Sequence, residues 1–280
     1  TRFPKLDVTF VHSGWGGDRV TGGGGGGIDV RLKRDVFAYK PTVMTIMLGM
    51  NDGSYRAFDP GIFDTYSTGY ELIVQTVKKT IPGIRITVIQ PSPYDDVTQA
   101  PKFEGGYNRV LVRYSQFVKE LAGREQLNTA DLNGPVVAAL EKAKTTDAES
   151  AKKIIPDRVH PGAAGHLLMA AELLKSWNAP SLVSAVELDV AGSKVVTQKG
   201  TKISDFKVGD TVTWTQWDDA LPMPVNMRDP ILALAVNSSD FEAALNRQPL
   251  KVAGLSAAQY SLRIDGVSAG EFTKEQLAGG

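Results

Sequence analysis

Asp157 and His160, three residues apart in Pro156-Asp157-Arg158-Val159-His160-Pro161-Gly162, carry the clearest chemistry in this sequence. In a tight loop that spacing sets a carboxylate beside an imidazole. The acid then accepts from one ring nitrogen, fixes the tautomer and stabilises the imidazolium formed when the ring takes a proton. The proline after His160 biases its backbone to an extended form. A helical pattern opens at Gly162, so the pair belongs on a loop at a helix start, a usual place for catalytic groups. The plain alternative is a surface ion pair. A second group is Leu48-Gly49-Met50-Asn51-Asp52-Gly53. Beyond the end of a strand, the Asn51 amide can point an N–H at an oxyanion, or it can simply make an Asx turn. A third is Val11-His12-Ser13-Gly14-Trp15-Gly16-Gly17-Asp18-Arg19. Its glycines let a backbone N–H approach a substrate oxygen, or form an ordinary turn between strand and helix.

Each group needs an element to hold it. The runs Val8–Val11, Val43–Leu48, Ile84–Ile89 and Leu127–Leu132 read as strands; the second is almost wholly apolar, as a strand covered on both faces should be. Helical spacing appears over Phe63–Lys79, Tyr107–Leu121, Pro135–Lys144 and Ala163–Trp177. Strands separated by helices predict βαβ units and a parallel sheet, an α/β class. The texture changes after Pro180. We expect an α/β domain over 1–180 and a β-rich appendage over 181–280 that continues past the chain end. The six glycines at 22–27 lack the Gly-Lys-Ser/Thr ending of a phosphate loop and read as a loop or tight turn.

Composition removes several classes of function. The formal net charge is zero, which gives no electrostatic reason to expect nucleic acid or an anionic membrane as partner. Without cysteine there is no disulfide, thiolate catalysis or cysteine zinc site. Three histidines, with His160 and His166 six apart, make no metal centre at helical spacing. No apolar run reaches the length of a membrane span.

Taken in order, the glycine block, Gly-x-Asn-Asp and Asp-x-x-His resemble the block order of the SGNH (GDSL-like) hydrolase superfamily over residues 1–178. The resemblance implies a flavodoxin-like three-layer α/β/α fold. It implies Gly17 as a backbone oxyanion donor, Asn51 as the side-chain donor beside it, Asp157 as acid and His160 as base. The activity implied is hydrolysis of a small-molecule or glycan ester, without cofactor or metal. Asp52, Arg19, Tyr55, Arg56 and Tyr94 are expected to line the substrate pocket. One block of the family, Gly-Asp-Ser with its nucleophile, has no counterpart before the glycine block. Val208-Gly209-Asp210-Thr211 is the nearest match, and it reads as a turn between strands. Ser13 lacks the turn of a nucleophile elbow, and Ser92 lies between two prolines. The serine is therefore expected upstream of residue 1, on a strand between 8–11 and 43–48, with both chain ends read as cuts. A secreted or periplasmic location fits if a signal peptide was lost with that N-terminus. The alternative is a non-catalytic relative that binds carbohydrate or acts as a scaffold.

Overall fold

The structure, a computed structural model, describes residues 7–280. Two compact units are present: Thr9–Ala179 with Asn226–Asp240, and Pro180–Val225 with Phe241–Gly280. In the first, the glycine run folds into a minimal hairpin, β1 (Gly22–Gly23) and β2 (Gly26–Gly27), with Gly24-Gly25 as its turn. One helical turn, α1 (Ile28–Arg31), follows and continues as a π-turn and a 3-10 turn to Tyr39. Then come β3 (Val43–Met47), α2 (Pro60–Thr80), β4 (Arg85–Gln90), α3 (Asn108–Glu125), β5 (Asn128–Asp131), α4 (Gly134–Thr146), α5 (Ala148–Ala151) and α6 (Ala163–Ser176).

The three longer strands form a parallel sheet in the order β3-β4-β5. Alternation along β4 divides the core in two. Ile86 and Val88 join Tyr66, Tyr70 and Val74 of α2 and Leu111, Tyr114 and Val118 of α3. Ile89 joins Ala130 of β5, Leu140 of α4 and Leu168 of α6 on the opposite face. Helices thus cover both faces, giving the three-layer α/β architecture in which crossover helices bury a parallel sheet. α2 starts sharply because Asp59 accepts from Gly61 N and Ile62 N, with Pro60 at the first helical position.

One expected strand is corrected. Val8–Val11 forms no strand, and Phe10 is 89% exposed. A strand is held by its neighbours' ladder bonds, and among the described residues β3 pairs with β4 alone. Val43 and Met47 are left substantially exposed at that free edge. A helix not anticipated, α7 (Pro230–Asn237), packs Ile231, Leu234 and Ala235 against the core shared by α4 and α6.

The second unit is β-rich. Its elements are β6 (Ala185–Asp189), β7 (Lys194–Lys199), β8 (Thr201–Lys207), β9 (Thr213–Asp218), α8 (Phe241–Leu245), β10 (Leu250–Ala253), β11 (Gln259–Ile264), β12 (Val267–Thr273) and α9 (Lys274–Gly279). A mixed sheet β10-β6-β7 and the hairpins β8-β9 and β11-β12 bury Val186, Leu188 and Val252 with Trp214, Tyr260 and Phe272 packed against them. Val208–Thr211 lies in the β8-β9 connection.

Candidate active site

The acid and the imidazole meet within one loop. His160 Nδ1 lies 2.6 Å from Asp157 Oδ2. The other carboxylate oxygen, Oδ1, accepts from His160 N at 2.7 Å and Val159 N at 3.0 Å. The His160 amide, then its ring, then the Val159 amide hold the Asp157 carboxyl down at about 2. A carboxylate bonded in this way stays ionised and orients the ring. The imidazole side chain is 81% exposed, so its far nitrogen is open to solvent.

Arg158, between them, fixes the loop to the body of the unit. Its backbone adopts φ +75°, unusual for a residue with a Cβ. Its guanidinium bonds Ala100 O at 2.9 Å, pairs with Asp96 at 3.5 Å and stands 5.8 Å over the Tyr94 ring. Its carbonyl accepts from Asp95 N at 2.9 Å.

Asn51 stands just beyond β3. Tyr66 and Tyr70 of α2 donate to Leu48 O and Ile46 O, which ties down the end of that strand. Gly49 has φ +131°, and a Cβ there would come within 2.5 Å of Pro91, so the turn out of the strand demands glycine. Asn51 Nδ2 donates to Asp18 O at 3.3 Å, next to Gly17 in the loop after Val11. Asn51 Oδ1 accepts from Tyr55 Oη at 2.8 Å. Tyr55 in turn lies within the electrostatic reach of Asp157: burial first, then the neighbouring Tyr94 and Asp157, raises its phenol above the usual range.

Gly17 is exposed, with φ +78° and open space where a Cβ would stand. Its loop is anchored at Val20, whose amide donates to Asp52 Oδ1 at 2.9 Å and whose side chain packs over Gly69 of α2. A second anchor is an ion cluster that the sequence reading missed. Buried Arg31 pairs with Asp18, bonds Ser13 O, and reaches Asp35 at 2.5 Å, with Arg31 and Arg34 stacked 5.4 and 5.6 Å from the Trp15 ring. The i,i+4 spacing of Arg31 and Asp35 was its sequence signal.

Two residues expected in the pocket wall are buried. Asp52 is buried and its carboxylate serves Val20 N, with burial raising its pKa. Tyr94 is only 3% exposed because its ring packs edge-on against Tyr107 at 5.3 Å. Tyr55, Arg19 and Arg56 are exposed. Ser13 donates to Asp35 O, and Ser92 is buried. Among the described residues there is no cluster of three or more histidine, aspartate or glutamate side chains suited to a metal. No helix there is long and apolar enough to cross a membrane.

Comparison with known proteins gives a consistent result. The model of the GDSL-like lipase/acylhydrolase family matches residues 2–168. An acetylxylan esterase of Geobacillus stearothermophilus is 27% identical over 180 residues, which is 62% of this chain and 74% of the relative. The crystal structure of such an enzyme from the same organism superposes with TM-score 0.43 at 25% identity, over 57% of this chain and 68% of that one. The structure of a gut microbial diltiazem-metabolizing enzyme superposes with TM-score 0.82 at 28% identity, over 100% of this chain. This chain spans 65% of the length of that enzyme.

Proposed function

The chain belongs to the GDSL-like lipase/acylhydrolase family, and on that premise we propose that it carries the acid, base and oxyanion donors of a serine ester hydrolase. The observation that carries this reading is the His160–Asp157 contact at 2.6 Å beside an open ring. The substrate is an ester of acylated carbohydrate or a similar short-chain ester. The kinship with an acetylxylan esterase supports acetyl groups on a carbohydrate.

His160 takes the proton of a serine hydroxyl through the ring nitrogen opposite Nδ1 as the oxygen attacks the ester carbonyl. Asp157 accepts from Nδ1 throughout and stabilises the imidazolium. The carbonyl electrons move onto its oxygen, which Gly17 N–H and Asn51 Nδ2 meet as donors. Collapse breaks the bond to the alcohol, which leaves with the proton from His160. Water then attacks the acyl-serine by the same route and releases the acid. The serine lies outside residues 1–280, on a strand seated along the free edge of β3. That edge leads directly to Gly49 and Asn51, and it has no ladder partner among the described residues. Hydrolysis belongs to residues 9–179 together with 226–240, and the remaining β-rich part of 181–280 is appended.

The test uses the full-length natural protein on short acyl esters and acetylated xylo-oligosaccharide. His160→Ala should lower kcat by about 10³-fold or more. Residues 1–280 alone should perform no better than that variant. Esterase activity from residues 1–280 that disappears on Ser13→Ala would place the nucleophile in this chain and overturn the assignment.

A further inference from the structure

A carboxamide presents an oxygen on one side and an NH2 on the other, and only the NH2 stabilises an oxyanion. Which side of Asn51 faces the reacting carbonyl is therefore decisive. Two contacts decide it. Nδ2 donates to Asp18 O at 3.3 Å, and Oδ1 accepts from Tyr55 Oη at 2.8 Å. Turned over, the amide would set its oxygen against the Asp18 carbonyl, acceptor against acceptor. In the observed orientation one hydrogen of Nδ2 is committed to Asp18 and the second is free for an oxyanion.

Tyr55 is itself placed at some expense. Ser54 and Tyr55 both have positive φ, +57° and +56°. Two successive residues with Cβ atoms in this left-handed region are strained. The surroundings impose that conformation. The Tyr55 ring packs 5.1 Å from Tyr107 and 6.2 Å from Tyr94. Tyr107 also donates to Met50 O at 2.6 Å, so one ring supports Tyr55 and steadies the peptide ahead of Asn51. Gly53 passes directly under it; a Cβ there would come within 2.4 Å of the Tyr107 hydroxyl. The Tyr55 phenol, ordinarily protonated at neutral pH and raised further by partial burial, can donate. Strain of this kind, over-determined by packing, marks sites where orientation matters.

We propose that Tyr55 is a positioning residue for ester hydrolysis: its hydroxyl locks the Asn51 amide with NH2 facing the oxyanion. This rests on the hydrolase reading above. In the full-length protein, Tyr55→Phe keeps the ring and removes only the hydroxyl. It should lower kcat about tenfold with KM nearly unchanged. Because it acts through Asn51, the double variant Tyr55→Phe/Asn51→Ala should be no slower than Asn51→Ala alone. A second measurement needs no turnover. In residues 1–280 the Asn51 side-chain NH2 signals should shift and their protons should exchange faster with solvent in Tyr55→Phe, as the amide loses the contact that holds its orientation about the Cβ–Cγ bond. Unchanged kcat, an undiminished Tyr55→Phe effect in the Asn51→Ala background, or an unchanged NH2 spectrum would each overturn the proposal while leaving the hydrolase reading in place. If His160→Ala and Asn51→Ala both keep full turnover, the hydrolase reading itself fails, and this proposal with it.

Discussion

The two halves of the candidate site are built in opposite ways. The Asp157–His160 half is local: three hydrogen bonds within four residues, and side chains 56% and 81% exposed. The Asn51–Gly17 half is assembled over long separations. Val20 reaches Asp52 across 32 residues, Asn51 reaches Asp18 across 33, and Tyr107 reaches Met50 across 57. The difference follows from the work each half would do. A proton-transfer ring needs only a fixed tautomer and an open face. Oxyanion donors must hold still before charge develops, because reorganising them during the reaction would forfeit their benefit.

That contrast can be tested in order of expected effect. The largest effect should come from removing a donor: Asn51→Ala in the full-length protein should lower kcat by about 10²–10³-fold with little change in KM. Next is the anchoring of the Gly17 loop. Val20 is 2% exposed, and Val20→Ala should cost about 2 kcal/mol of unfolding free energy, measured by denaturant titration. Asp157→Ala, on the exposed local half, should cost less unfolding free energy than Val20→Ala in the same titration, because solvent screens its hydrogen bonds. Equal losses from the two variants would erase the distinction. The smallest effect concerns pH. The Asp157 carboxyl is depressed to about 2, so its contribution is fully present above the unfolded carboxylate value and fades as pH falls through about 2. Asp52 is raised by burial, so its charged form opposes folding, and acidification relieves it. Carboxyl NMR titration should show Asp157 protonating well below Asp52; the reverse order would contradict both placements.

The same contrast explains what was legible in the sequence. Asp157 and His160 could be paired by spacing, because their geometry is closed within one loop. Asn51 could be placed because it follows the apolar strand now seen as β3. The burial of Asp52 and Tyr94 was not legible, since each depends on residues far along the chain, Val20 and Tyr107. Nor was Tyr55 as partner of Asn51, because nothing local marks the left-handed turn at Ser54-Tyr55. Val8–Val11 has strand-like residues but is paired with no strand among the described residues. Pro230–Asn237 is apolar on every side, so it carries no periodicity, and packing against α4 and α6 is what makes it a helix.

The free edge of β3 has a further consequence, for how the protein behaves in a tube. Among the described residues β3 has no ladder partner on the side away from β4, and such an edge beside the half-bare Val43 and Met47 is a template for an extended chain. Residues 1–280 on their own should therefore be sensitive to concentration, self-associating through that edge as protein is added. Charged substitutions at Val43 or Met47 are the natural means of keeping the isolated chain dispersed for spectroscopy.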